Sequence, residues 1–236
     1  MAYSLHMGHR ERMKRKFLQY GIDGMEEHEI LEILLFYSLP RIDTNELGHI
    51  LLEQFGSLAG VLNADYEELI KVPGIKENTA TLLKLSLGIA RKYAISSQKA
   101  EEHYDTIEKI GNYLVNMYVG VNVERVYLML FDNSLKLLDC CWITDGTINA
   151  TSLLPRVLIE KALNKRASSV VLAHNHPFGM AIPSGDDIAM THRMDSAFEL
   201  VGINMLDHII VAGEKYASVM RRGDDMLLRA STPLKY

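Results

Sequence analysis

The chain has 236 residues and a formal net charge of −5 at pH 7, with 48% hydrophobic and 23% charged side chains. These values fit one large or two small globular domains and exclude collagen-like and disordered chains. They also leave no basic excess of the kind carried by a protein held mainly on nucleic-acid phosphates.

In chain order, the N-terminus lacks the apolar stretch of a signal peptide, and no apolar run approaches the roughly 18 residues of a membrane span. The expected setting is the cytoplasm, with no membrane partner. His6 and His9 fall in a terminus expected to be mobile and receive no role. Arg10, Arg12, Lys14, Arg15 and Lys16, broken only by Glu11 and Met13, read as a solvated helix face more readily than as a nucleic-acid grip. Ile30, Leu31, Ile33, Leu34 and Leu35 suit a buried helix with acidic Glu26, Glu27 and Glu29 in its first turn. Thr44 and Asn45 can start the next helix, Leu47, Ile50, Leu51 and Leu52 form its apolar stripe, and Gly56 stops it. Residues 63–65 open a short helix through Leu69 and Ile70. Val72-Pro73-Gly74-Ile75-Lys76 is a tight turn, and 78–93 is the next helix. Residues 1–95 thus read as an all-α bundle. Its turn at 72–76, with Ala80, resembles a helix-hairpin-helix, although Lys76 stands where that motif has a second Gly. Backbone N–H groups at such a turn can meet DNA phosphate, so DNA is a candidate partner of this region. Its near-neutral charge suits a structural or protein-contact hairpin better.

The polar stretch 96–105 reads as a linker. Beyond it the pattern becomes mixed: a helix over 106–118, strands over 124–132 and 135–144 joined at Asp132-Asn133-Ser134, and a helix over 155–166 with Pro in its first turn. A buried strand over 169–174, a helix over 186–201 closed by Gly202, and strands over 207–211 and 216–220 follow. The fold class is therefore α+β or α/β, with a sandwich-like domain over 106–236. The chain's 2 cysteines are adjacent, Cys140 and Cys141. Neighbours on a strand point to opposite faces, so neither a disulfide framework nor a thiolate zinc site is expected, and any metal falls to His and carboxylate. Cys140-Cys141-Trp142 reads as strand packing.

The chemistry concentrates in Ala173-His174-Asn175-His176-Pro177-Phe178-Gly179 and Pro183-Ser184-Gly185-Asp186-Asp187. Two histidines spaced by two at a strand end leave the same face and can share one ion. Ser184 can cap the following helix in a variant capping box with Asp187, and that cap would anchor Asp187 as a third, carboxylate ligand. Two His, one carboxylate and an open fourth position form the pattern of a catalytic zinc site. Asp207-His208 precedes an apolar strand, and a satisfied structural histidine explains it more readily than an outer partner of the metal ligands.

His174-x-His176, seven residues, Ser184, two residues and Asp187 resemble the JAMM (MPN+, JAB) metallopeptidase motif. His174-Asn175-His176-Pro177 with Gly179 further resembles the RadC branch of that superfamily, which usually has Ser where this chain has Phe178. The strand opened by Glu124, and Gly146-Thr147, Pro155-Arg156 and Leu206 to Ile210 also match family positions, as does the helical region 8–93. The resemblance implies a helix-hairpin-helix-like region followed by a JAB/MPN-like α-β-α sandwich around a mixed sheet. It implies that His174, His176 and Asp187 bind Zn²⁺, that Glu124 holds the attacking water and shuttles its proton, and that Ser184 hydrogen-bonds the oxyanion. The implied activity is zinc-dependent hydrolysis of a peptide or isopeptide bond in a peptide or protein substrate whose identity, like the oligomeric state, the sequence leaves open. The alternative is a DNA-associated repair or recombination protein that uses the helical region as its binding module. A scaffold that has lost catalysis fits less well, because ligands and proton shuttle are all present. The absence of a Pro-Cys-x-x-Cys pair excludes a zinc deaminase, and three contiguous strand residues do not provide the parts of an HNH nuclease.

Overall fold

In a computed structural model, residues 2–40, 42–97, 103–146 and 153–220 are described. The chain divides into two compact units, 1–90 and 91–236. Among the described residues no helix is long and apolar enough to cross a membrane.

The first unit is helical: α1 (Ala2–Tyr20), a 3-10 turn (Ile22–Gly24), α2 (Glu27–Ser38), α3 (Asn45–Phe55), α4 (Leu58–Asn63), α5 (Tyr66–Leu69) and α6 (Glu77–Ser97), whose C-terminal residues pass into the second. Leu31, Leu35, Leu51, Val61, Leu69 and Leu83 fill its core. Gly56 ends α3 in the left-handed region at φ 83°, which glycine adopts without cost. The 3-10 turn and α4 go beyond the sequence expectation, and α1 extends the helix face expected over 10–16 to residues 2–20. The stretch over α1 is polar, and α4 is only six residues long, started by Ser57 accepting from the Gly60 amide. The expectation of a mobile terminus is corrected at His9, whose Nε2 lies 2.7 Å from Oε1 of buried Glu32. Arg10 donates to the carbonyls of Leu39 at 2.7 Å and Ile42 at 2.5 Å, and Lys16 pairs with Glu29 at 2.6 Å. Part of the basic cluster is therefore committed inside its own unit. In the 72–76 turn, Val72 and Ile75 are buried and Gly74 takes φ 93°.

The helix expected to end at Tyr93 continues to Ser97, and 98–102 lie outside the described residues. Tyr104 is buried in the second unit, its amide donating to the Leu135 carbonyl at 2.8 Å. That unit contains α7 (Ile107–Tyr118), β1 (Arg125–Phe131), β2 (Leu137–Asp145), α8 (Pro155–Asn164), β3 (Ser169–Asn175), α9 (Gly185–Glu199), β4 (Asn204–Ala212) and β5 (Lys215–Ser218). The strands form one mixed sheet in the order β2-β1-β3-β4-β5. β3 and β4 are parallel, joined across α9, and the other neighbours are antiparallel.

Strand alternation divides the core into two layers. Tyr127, Met129, Phe131, Val171 and Ala173 pack on α7 through Ile110 and Leu114. Val126, Leu128, Leu130, Val170 and Leu172 pack on α8 and α9 through Leu158, Met190, Met194 and Phe198. The result is an α-β-α sandwich around a mixed sheet. Cys140 joins the first layer and Cys141 the second, both as free thiols. The same alternation places His174 on the face that α9 covers, and Asn175 on the other.

Candidate metal centre

β3 is buried along its whole length, which fixes the direction of His174 at its end. His176 lies just beyond the strand, where its amide donates to the Val211 carbonyl at 2.8 Å. It is thus a loop residue, not part of the strand, but the two imidazoles still converge. Ser184 caps α9: its hydroxyl accepts from the Asp187 amide at 3.1 Å, while the Asp187 carboxylate accepts from the Ser184 amide at 2.8 Å. This capping box holds Asp187 in the first turn of α9, against β3.

His174 Nε2 lies 3.0 Å from His176 Nε2 and 3.1 Å from Asp187 Oδ1, and His176 Nε2 lies 3.8 Å from Asp187 Oδ2. Two donors each ~2.0–2.1 Å from one tetrahedral ion stand ~3.3 Å apart, so this triangle has the size of a metal site. His176 Nδ1 lies 2.9 Å from the Met180 carbonyl. A carbonyl only accepts, so the ring proton is on Nδ1 and Nε2 presents a lone pair. Lone pairs and a carboxylate aimed at one point repel unless a cation lies between them. The three residues could therefore hold a metal ion. Burial pushes the Asp187 carboxyl up, but the neighbouring His174 and hydrogen bonds from the Ser184 hydroxyl and amide outweigh it and hold its pKa well below the ordinary carboxylate range.

Glu124 precedes β1. Val126 stands opposite His174 in the antiparallel ladder, which brings the start of β1 to the end of β3. Glu124 and His176 consequently line one open cleft of about 540 Å³, together with Gly146, Phe178 and Gly179. The Glu124 segment is tied down from several sides. Its carbonyl accepts from Gly146 at 2.8 Å, and Arg125 pairs with Asp145 at 2.6 Å. Asn175, a residue to which the sequence reading gave no role, is the chief anchor. Its Oδ1 accepts from the Arg125 amide at 2.8 Å, and its Nδ2 donates to Val121 and Val123 at 3.2 and 3.0 Å. Asn175→Ala is expected to cost about 1–3 kcal/mol, because one buried and two partly buried backbone groups lose their partner. Urea denaturation checks the cost, and faster hydrogen exchange at Arg125 locates it.

The Ser184 hydroxyl has one proton, and it points to Asp187 Oδ2 at 2.6 Å. An oxyanion contact from Ser184 requires that hydroxyl to rotate. His208 is a satisfied buried histidine, as expected, and one of its partners is a candidate ligand: its Nε2 lies 2.8 Å from His174 Nδ1. The loop between His176 and Ser184 turns Phe178, Met180 and Ile182 outward, 91%, 70% and 58% exposed. Thr147 lies outside the described residues.

The RadC-like JAB domain model matches residues 104–224, and the UPF0758 N-terminal model matches residues 5–81. A UPF0758 protein of Fusobacterium nucleatum is 35% identical over 233 residues, covering 94% of this chain and 99% of the relative. UPF0758 proteins of Pseudoalteromonas translucida and Bordetella parapertussis are each 31% identical, covering 90% and 89% of this chain and 95% and 93% of their own.

Proposed function

This chain belongs to the RadC-like JAB-domain family, and on that premise we propose that it is a zinc-dependent hydrolase of the JAMM type, cleaving a peptide or isopeptide bond. The observation that carries this reading is the convergence of His174 Nε2, His176 Nε2 and the Asp187 carboxylate on one point. Two neutral imidazoles and one carboxylate suit zinc, and three protein ligands leave a position for water. His174, His176 and Asp187 would hold the zinc, which would lower the pKa of a water and so supply the nucleophile near neutral pH.

The chain's own groups supply the rest. Glu124, on the cleft that His176 also lines, takes the proton from the attacking water and returns it to the leaving amine. Ser184, once its hydroxyl turns from Asp187, donates to the oxyanion of the tetrahedral intermediate. Asn175 keeps the Glu124 segment at the strand end. The buried side of His174 and Asp187 excludes bulk water from the grip, while the half-exposed side of His176 opens to substrate.

Elemental analysis of the purified chain, followed by a peptide and isopeptide library, tests the proposal. Stoichiometric zinc and cleavage that stops with chelator and returns with zinc are expected. A zinc-loaded chain that leaves every amide intact counts against it. Salt-sensitive DNA binding by the same chain would then favour the DNA-associated reading, which the inward commitment of Arg10 and Lys16 does not support.

A further inference from the structure

Behind the candidate ligands lies a line of buried polar groups that the proposed mechanism does not use. Thr191 is one helical turn after Asp187 on α9, and its Oγ1 lies 2.6 Å from the Asp187 backbone carbonyl. The same oxygen lies 2.7 Å from His208 Nδ1, and His208 Nε2 lies 2.8 Å from His174 Nδ1. His208 is fully buried and Thr191 nearly so. His208 pairs with Leu172 in the parallel β3–β4 ladder, two residues before His174 on the same strand, which brings the rings together.

Counting protons gives this line a direction. The threonine hydroxyl has one proton, and the Asp187 carbonyl can only accept it. Its oxygen must then accept from His208 Nδ1–H. A neutral His208 with its proton on Nδ1 has a bare Nε2, which accepts from His174 Nδ1–H. His174 is left with a lone pair on Nε2, the atom aimed at His176 and Asp187. Full burial with a hydroxyl and an imidazole as its hydrogen-bond partners favours the neutral ring of His208.

We propose that Thr191 and His208 are positioning residues that set the tautomer of His174, so that its Nε2 is free to ligate metal; this rests on the reading of the triad as a metal centre. The relay begins at the carbonyl of one ligand and ends on the ring of another. The first turn of α9 therefore both places the carboxylate and orients the imidazole.

The test uses the full chain, with Thr191→Val, which keeps the shape and removes the hydroxyl, and Thr191→Ser, which restores it. Two readouts serve. Nitrogen-15 imidazole spectra report which His208 nitrogen holds the proton, and chelator competition with cobalt(II) alone reports metal affinity. The wild-type and serine chains are expected to show His208 protonated on Nδ1 only. Thr191→Val is expected to show the other tautomer gaining population and to bind cobalt about 10- to 100-fold more weakly, the range for losing an outer partner of a metal ligand. An unchanged spectrum and affinity in folded Thr191→Val overturn the proposal. So does a wild-type His208 protonated on Nε2, which decides the matter even if the variant does not fold. A wild-type chain with the expected His208 spectrum that takes no cobalt refutes the metal centre and not the relay.

Discussion

Replacing Asp187 by alanine is expected to leave the chain without bound metal and without metal-dependent cleavage. Structural zinc sites with four protein ligands contribute about 10–16 kcal/mol, or ~2.5–4 kcal/mol per ligand, so losing one of three weakens binding by ~10²–10³-fold. The substitution also removes the Asp187 half of the capping box, which contributes about 0.5–2 kcal/mol to the start of α9. Asp187→Asn separates the two effects. Its side-chain oxygen still accepts from the Ser184 amide, yet the anionic ligand is gone. Both variants are expected to fail in elemental analysis, whereas, with metal stripped from all three chains, only the alanine chain is expected to be less stable to urea than wild type. Stoichiometric metal in either one would show that the ion sits elsewhere.

Glu124→Gln is expected to do the opposite: keep the metal and lose the turnover. Glu124 is outside the His174–His176–Asp187 triangle, so metal content and affinity stay at wild-type levels. A glutamine of nearly the same shape cannot take a proton from water, and loss of a positioned general base costs about 10²–10⁴-fold in kcat. Single-turnover cleavage with zinc-loaded chain in excess checks this, because it isolates the chemical step from product release. Wild-type turnover in the glutamine chain would remove Glu124 from the chemistry while leaving the metal site intact. The pair of results, metal lost with activity and metal kept without it, assigns the two kinds of carboxylate separately.

The triangle was legible in the sequence because each of its parts is local. The two-residue spacing of His174 and His176 at a strand end, and Asp187 in a helix start capped by Ser184, need no knowledge of distant contacts. Glu124 was reached only through the family resemblance. Its approach depends on β1 lying antiparallel beside β3, and nothing within 124–132 says which strand pairs with which. The partner of His208 was hidden for the same reason: its closeness to His174 is a property of the parallel β3–β4 ladder. Asn175 and Met180 act through backbone partners, which leave no trace in residue type. That β1 is a buried strand was readable from the unbroken apolar run Val126 to Phe131, whereas α1, polar along much of its length, offered no apolar stripe to read.

The grip on His176 comes from the carbonyl of Met180, not from its side chain, and the side chains of Phe178, Met180 and Ile182 face outward. Main chain and side chain in this short segment thus have separate duties. Substitution along its outer surface can change what the loop presents to solvent while the three candidate ligands beneath stay as they are. Related chains can share one reaction and differ in diet, and Phe178, at a position where the family usually has serine, is where such divergence would first become visible.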